Sequence, residues 1–170
     1  MSKSKPRKVV FFGSDEIALP LLEAMQDRRD LWEFCGVLTQ PDRAAGRGRK
    51  LRENPIKRWA LESEIPFLDP AVPDSSHVRW VCSLGAEIAL VMAYGCILKR
   101  AMLKATPFGC LNLHASLLPK YRGASPVETA LAMGESRTGV TLMQVVPQLD
   151  AGPILDFETV EIDRKSTCLN

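Results

Sequence analysis

The sequence lacks the patterns that mark several large classes of protein. Its five cysteines form no CxxC pair and no spacing typical of a zinc site. No apolar run approaches the roughly 20 residues that span a bilayer, and the basic N-terminus has no apolar stretch of the kind found in signal peptides. Four of the cysteines lie within or beside apolar runs. We therefore expect a cytoplasmic protein with buried, reduced thiols and with neither a metal nor a membrane contact.

A dinucleotide-binding signature is also missing. The first apolar run, residues 8–13, leads into residues with helical periodicity, which predicts a strand followed by a helix. A GxGxxG motif would be expected at this turn in a dinucleotide-binding protein, but Gly13 is the only glycine there. The pattern therefore favours a βαβ unit without a nicotinamide cofactor.

Length and composition indicate one globular domain, which we expect to be a monomer. The chain has 170 residues, of which 46% are hydrophobic and 25% charged, and its net charge is +2. Attraction to nucleic acid would have to come from a local basic patch. Further strands are predicted at residues 34–39, 87–93, 109–114, 138–146 and 154–162, and helices after Ser14, Asn54 and Ser125 and over residues 77–84 and 98–105. This alternation indicates an α/β fold.

Residues 40–52 form a basic segment without an apolar period. The segment contains five basic residues, two glycines and one proline, which predicts a long, mobile, exposed loop. Long loops in compact domains tend to be functional, and charge of one sign suits phosphate. Two interpretations stay open: a phosphate-contacting loop or a solvated linker.

Two polar side chains share one face of the strand predicted at residues 109–114. Strand geometry puts Asn112 and His114 on one face and the leucines beside them on the other. An asparagine can donate to an oxyanion, a histidine can exchange a proton near neutral pH, and Asp150 in a later turn could orient the histidine and support its positive form. Two interpretations stay open: a site for acyl transfer to an amine, or satisfied polar groups at a strand end.

Three stretches of the chain resemble the signature motifs of the folate-dependent formyltransferases. They are Asn-x-His at residues 112–114, SLLPKYRG at 116–123 and LDAG at 149–152. Residues 39–51, 91–98 and 138–141 are similar to the members of the family that formylate initiator methionyl-tRNA. The resemblance covers roughly residues 9–162. It implies a Rossmann-like open, mostly parallel twisted sheet with helices on both faces.

The resemblance also implies a reaction and a set of site residues. The formyl group would pass from 10-formyltetrahydrofolate, the co-substrate, to the amino group of methionyl-initiator tRNA. The positions that match the catalytic trio are Asn112, His114 and Asp150. The positions that match the folate-binding segments are Ser116, Leu117, Leu118, Pro119, Tyr94, Gly95, Ile97 and Leu98. The positions that match the tRNA-binding loop are Arg43, Arg47, Arg49 and Lys50.

Two alternatives stay open beside that reaction. One is a formyltransferase that acts on a small amine, such as glycinamide ribonucleotide or an amino sugar nucleotide. The other is a non-catalytic fragment that binds folate or RNA. The basic segment favours tRNA, because a small substrate gives no reason for it.

The end of the sequence departs from the family pattern. We expect a catalytic domain at residues 1–163 that is incomplete at its C-terminal end, followed by a non-matching tail at residues 164–170. Members that act on tRNA continue into further helix and a C-terminal β-barrel domain that also binds tRNA, and this chain stops before both. A fragment of this kind should bind tRNA weakly and expose apolar sheet surface.

Overall fold

The computed structural model describes residues 5–45 and 50–163. They form two compact units, the first ending at Cys110 and the second beginning at Leu111. The strands are β1 (Arg7–Phe12), β2 (Trp32–Leu38), β3 (Arg43–Ala45), β4 (Lys50–Arg52), β5 (Phe67–Leu68), β6 (Ile88–Val91), β7 (Cys110–His114), β8 (Arg137–Gln144) and β9 (Ile154–Glu161). The helices are a 3-10 turn (Glu16–Ala18), α1 (Leu19–Gln26), α2 (Pro55–Glu62), α3 (Ser75–Ser83), α4 (Arg100–Leu103) and α5 (Pro126–Ala132).

The first unit is built on a parallel sheet with the strand order β5-β2-β1-β6. Strand β1 is central, and Val9 to Phe12 are between 0% and 1% exposed. A parallel strand that is covered on both faces is apolar throughout, which is why the sequence shows a continuous apolar run here. Helices between the strands supply the crossovers that parallel pairing requires.

The carboxyl ends of β1, β2 and β6 lie at the same edge of this sheet, since the strands are parallel neighbours. Gly13 follows β1 there and has to be glycine, because a Cβ would meet the Phe11 ring and the Met92 carbonyl oxygen. Ligands of open α/β sheets bind at such edges.

Residues 43–45 and 50–52 are more ordered than the sequence predicts. Strands β3 and β4 pair antiparallel, with Arg43 opposite Arg52 and Ala45 opposite Lys50. The prediction of a continuous loop is therefore wrong at both ends of the segment, because backbone pairing needs no apolar alternation. We call residues 43–52 the basic hairpin.

Helix α2 begins where the sequence indicates. The Asn54 side chain accepts hydrogen bonds from the backbone N–H groups of Ile56 and Lys57, at 2.9 and 3.2 Å. Pro55 occupies the first helical position, where its missing N–H costs nothing. Ile56, Trp59 and Ala60 form the buried side of the helix. The N-cap prediction is confirmed.

The second unit is antiparallel, with β8 between β7 and β9. Gly139, Thr141 and Met143 form the buried face of β8. All eight residues of β9 are exposed, including Phe157 at 62%. In α5, Ala130 is buried and Leu131 is 41% exposed.

The α/β class predicted from the sequence is confirmed. Strands and helices lie close to the predicted positions, but α4 covers only Arg100–Leu103 and β6 only Ile88–Val91. In residues 5–45 and 50–163, no helix has both the length and the apolar character to cross a membrane.

Candidate active site

Strand β7 places two candidate residues on one face of the second unit. Asn112 is opposite Met143 and His114 is opposite Thr141 in the antiparallel ladder with β8. His114 is 6% exposed and Asn112 is partly exposed. The alternation predicted for this strand thus puts a partly accessible amide two residues before a buried imidazole.

The His114 ring is held by a backbone carbonyl. Its Nε2 lies 2.9 Å from the carbonyl oxygen of Tyr121. A carbonyl can only accept, so we assign the hydrogen of the neutral ring to Nε2. The lone pair of the neutral ring is then on Nδ1, which makes Nδ1 the atom that can take up a proton.

Asp150 lies on the Nδ1 side of the ring. The distance from His114 Nδ1 to Asp150 Oδ2 is 3.9 Å, and the two side chains are only 7% and 12% exposed. This is too long for a hydrogen bond, so the carboxylate acts on the ring through its charge. The structure therefore brings together two of the three candidate catalytic residues.

The Asp150 carboxylate is itself fixed by the backbone. Its Oδ2 accepts a hydrogen bond of 2.9 Å from the N–H of Gly123. Asp150 has φ +45°, a left-handed conformation that aspartate tolerates better than most residues. Gly152 follows, where a Cβ would clash with the Gln144 carbonyl. The turn after β8 can therefore pass close to the strand and aim the acid at His114.

The Asn112 side chain is the third candidate of the trio. Within the described part of the chain, its carboxamide makes no hydrogen bond. Its N–H₂ group can therefore donate to a ligand without first breaking a protein contact. That is the property required of an oxyanion donor.

The loop after β7 is anchored by two hydroxyl groups. Thr141 Oγ1 donates to the Ser116 carbonyl at 2.7 Å and accepts from the Leu118 N–H at 3.1 Å. Ser116 Oγ donates to the Lys120 carbonyl at 2.7 Å. The peptide bond between Leu118 and Pro119 is cis. Ser116 is therefore a buried structural residue in this loop, beside the partly exposed Leu117 and Leu118 and the exposed Pro119.

A glutamate holds the far end of this loop. Glu135 Oε1 accepts from the Tyr121 hydroxyl at 2.6 Å and from Lys120 Nζ at 2.9 Å. These contacts lower the pKa of Glu135, the Tyr121 hydrogen bond contributing most, and raise the pKa values of Tyr121 and Lys120. Tyr121 has φ +58°. Its backbone carbonyl, which contacts His114, is thus positioned through its own side chain.

Four candidate residues lie at the carboxyl end of β6 in the first unit. Tyr94 is 3% exposed, Ile97 is 88% exposed, Gly95 is exposed with φ +73°, and Leu98 is intermediate. Burial raises the pKa of the Tyr94 hydroxyl, which has no hydrogen-bond partner among the described residues. The segment thus combines a buried anchor with an exposed apolar side chain.

The structure describes two of the four candidate tRNA-binding residues. Arg43 is exposed on β3, and Lys50 begins β4. Arg47 and Arg49 lie outside the described residues. Arg52, at the end of β4, forms an ion pair with Glu16 at 3.2 Å.

Sequence reasoning missed the residues that position the candidate site. Tyr121 acts through its backbone carbonyl and Gly123 through its N–H, and neither contact has a signal in residue type. The sequence indicates a role for Thr141 only weakly, since it is a polar residue on a strand with one buried face. The other histidine, His77, has its Nδ1 2.6 Å from Oδ1 of Asp74, the N-cap residue of α3.

The cysteines differ from one another in exposure. Cys110 is buried, which raises its pKa to about 12, whereas Cys35 and Cys96 are intermediate. Cys82 is exposed, so the expectation of buried thiols is wrong there, because it lies on the outer side of α3. Among residues 5–45 and 50–163, no three His, Cys, Asp or Glu side chains are grouped so that they could hold a metal ion.

Comparisons of sequence agree with the motifs. Residues 7–169 match the family model described as formyl transferase. The methionyl-tRNA formyltransferase of Sorangium cellulosum (strain So ce56) is 47% identical over 161 residues, which are 94% of this chain and 51% of that protein. That of Bifidobacterium adolescentis is 44% identical over 160 residues, 94% of this chain and 50% of its own. The chain thus spans about half the length of the curated relatives it matches.

Solved structures share the fold. A phosphoribosylglycinamide formyltransferase from Bacillus halodurans has a TM-score of 0.75 at 22% identity and covers 94% of this chain and 82% of its own. A formyltetrahydrofolate deformylase from Pseudomonas syringae has a TM-score of 0.72 at 22% identity, and the match covers 95% of this chain and 53% of that protein. At this identity the likeness concerns the fold alone, and it agrees with the Rossmann-like fold that the sequence predicts.

Proposed function

Because the chain belongs to the formyl transferase family, we propose that it transfers a formyl group from 10-formyltetrahydrofolate to the amino group of methionyl-initiator tRNA. The pairing of His114 with Asp150, 3.9 Å apart and both nearly buried, carries this proposal. A carboxylate beside the one ring nitrogen that is free to take a proton suits general base catalysis. The reaction would take place in the cytoplasm, with no metal.

The chemistry follows from what the three catalytic candidates can donate, accept or stabilise. The amine nitrogen attacks the formyl carbon, and the negative charge that develops on the formyl oxygen is stabilised by the Asn112 carboxamide. The proton released by the amine passes to His114 Nδ1, where Asp150 stabilises the imidazolium that forms. The bond between the formyl carbon and N10 of the folate then breaks. N10 takes the electron pair and a proton, which returns His114 to its neutral state.

The choice of acceptor rests on the basic hairpin. Its basic residues include Arg43, Arg47, Arg49 and Lys50, and charge of this sign and density suits the phosphates of a nucleic acid. A small amine as acceptor would not explain the basic hairpin. The two relatives named methionyl-tRNA formyltransferase, at 47% and 44% identity, support the same acceptor.

Two groups of residues are candidates for contact with the folate co-substrate. One group is Tyr94, Gly95, Ile97 and Leu98. The other is residues 116–119. The exposed apolar side chain of Ile97 suits the flat face of a pterin ring, since such side chains gain by burial against an aromatic surface. The anchored backbone of residues 116–118 suits a preformed site.

The test is formyl transfer by the purified chain from 10-formyltetrahydrofolate. Charged initiator methionyl-tRNA, glycinamide ribonucleotide and an amino sugar nucleotide are offered in parallel, and folate binding is measured separately. We expect transfer to the tRNA alone. Transfer to a small amine alone would replace the acceptor that we propose. Folate binding without transfer to any acceptor would favour the non-catalytic alternative.

A further inference from the structure

Gln40 lies between two segments of the first unit that the proposed function uses separately. It follows β2 at the carboxyl edge of the sheet and is 2% exposed. Its side-chain Nε2 donates to the Tyr94 carbonyl at 3.0 Å and to Cys96 Sγ at 2.8 Å. One buried amide therefore holds two points of the segment that follows β6.

The backbone of Gln40 is part of the stem of the basic hairpin. Its carbonyl accepts a hydrogen bond of 2.7 Å from Asn54 Nδ2. The Asn54 N–H in turn donates to Asp42 Oδ1 at 2.9 Å, and Asp42 Oδ2 pairs with Lys57 Nζ at 3.1 Å. The residues that enter and leave the hairpin are thus joined next to Gln40.

The turn after β6 has an unusual backbone conformation. Ala93 has φ +48° and Gly95 has φ +73°, so two residues in three are left-handed. A Cβ on Gly95 would be 3.4 Å from Gln40 Nε2, which is ordinary contact distance. Ser14 Oγ also donates to the Tyr94 carbonyl, at 2.8 Å. Ser14 and Gln40 therefore fix the same carbonyl from two different strand ends.

A contribution to the stability of the fold does not explain why the Gln40 amide is buried. Its Oε1 is buried and has no hydrogen-bond partner among the described residues. An unsatisfied buried acceptor destabilises the folded state. The Tyr94 carbonyl would keep its bond to Ser14 if the amide were lost, and the Cys96 thiol would keep its contact with the Ala71 carbonyl at 3.6 Å.

We propose that Gln40 is a positioning residue for the folate co-substrate, holding residues 94–96 in place and joining them to the stem of the basic hairpin. This inference rests on the proposed function, because only that function makes residues 94–98 a folate segment. Gln40 acts through the Tyr94 carbonyl and the Cys96 thiol. The chemical step itself does not require it.

Gln40→Met removes both side-chain hydrogen bonds at similar volume, and it leaves no new unsatisfied backbone group. The matched control is Gln26→Met, since Gln26 also donates from its amide in the first unit, to Ser63 Oγ at 3.2 Å. Binding of 5-formyltetrahydrofolate, a stable isomer of the formyl donor, is measured by calorimetry on the full chain. We expect roughly tenfold weaker binding in Gln40→Met with an almost unchanged Tm, and wild-type binding in Gln26→Met.

Alkylation of Cys96 supplies a second readout that needs no folate. Loss of the Gln40 amide should change its rate of reaction with iodoacetamide, because the amide N–H donates to the Cys96 sulfur. The exposed Cys82 serves as the internal reference. Unchanged folate binding together with an unchanged Cys96 rate would overturn the inference. If the wild-type chain does not bind the folate, the proposed function fails, and the Cys96 rate alone decides whether Gln40 holds the segment.

A second variant covers the case in which Gln40→Met does not fold. Gln40→Glu has nearly the same shape but places a carboxylate against the Tyr94 carbonyl. We expect it to weaken folate binding at least as much as Gln40→Met and to slow Cys96 alkylation, because a carboxylate beside the sulfur disfavours the reactive thiolate. Wild-type values for both readouts would count against the inference.

Discussion

His114 and Asp150 are 36 positions apart in the chain, yet His114 Nδ1 lies 3.9 Å from Asp150 Oδ2. The opposite ring nitrogen, Nε2, is occupied by the Tyr121 carbonyl. The same Oδ2 atom of Asp150 accepts from the Gly123 N–H. Both side chains are therefore fixed by the loop that joins β7 to α5, and the proton-accepting nitrogen of the ring faces the carboxylate.

The charge of Asp150 should matter more than its shape. Asp150→Asn keeps an oxygen for the Gly123 N–H and tolerates φ +45°, so the fold should be retained. Without the negative charge the imidazolium loses its stabilisation, and we expect kcat for formyl transfer to fall on the order of 10²-fold. Steady-state kinetics check this, with Asp156→Asn on the exposed strand β9 as the matched loss of one charge. Equal rates in wild type and Asp150→Asn would remove the charge from the mechanism.

His114 should be required for proton transfer. His114→Gln can still donate to the Tyr121 carbonyl but cannot take up a proton. We expect kcat to fall by about 10²-fold or more with folate binding unchanged. His77→Gln is the control, because His77 is the other histidine of the chain and is the N3 residue of the α3 capping box. A drop of the same size in both variants would point to a general loss of structure.

Asn112 should act in the transition state. Asn112→Ala removes an amide that makes no hydrogen bond with the described residues, so the free energy of unfolding should change little. Loss of one oxyanion donor typically lowers kcat by about 10²- to 10³-fold. Thermal unfolding and kcat, measured on the same preparation, separate the two effects. A rate close to that of wild type would assign Asn112 to the fold alone.

The basic hairpin should supply the salt dependence of tRNA use. Replacing Arg43, Arg47, Arg49 and Lys50 by Ala should raise KM for the tRNA and make this KM less dependent on salt. The reason is that each phosphate contact contributes roughly 0.7 to 0.9 to the slope of the logarithm of affinity against the logarithm of salt concentration. Folate binding should stay unchanged. Replacing the exposed residues Arg29, Arg58, Arg79 and Lys104 by Ala removes the same number of positive charges elsewhere and controls for net charge. An unaltered slope would mean that the hairpin does not contact phosphate.

Local patterns in the sequence were sufficient for most elements. The continuous apolar run of β1 and the Asn54-Pro55 start of α2 carry their own signals, because burial on both faces and helix capping depend on neighbouring residues. The paired strands β3 and β4 carried no such signal, since their pairing rests on backbone hydrogen bonds. The exposure of Cys82 was missed for a related reason: an apolar neighbourhood in the sequence does not say which side of a helix is covered.

The sequence by itself determined the α/β class, the placing of Asn112 and His114 on one face of β7, and the identity of the acid that could accompany them. Tertiary structure decided that Asp150 reaches His114, and from which side. It also decided that the Tyr121 carbonyl contacts His114 and that the Gly123 N–H holds Asp150. The physical reason is that these contacts use backbone carbonyl and N–H groups, which every residue except proline carries in full. The residue types in the sequence therefore do not indicate these contacts, which form only in the folded chain.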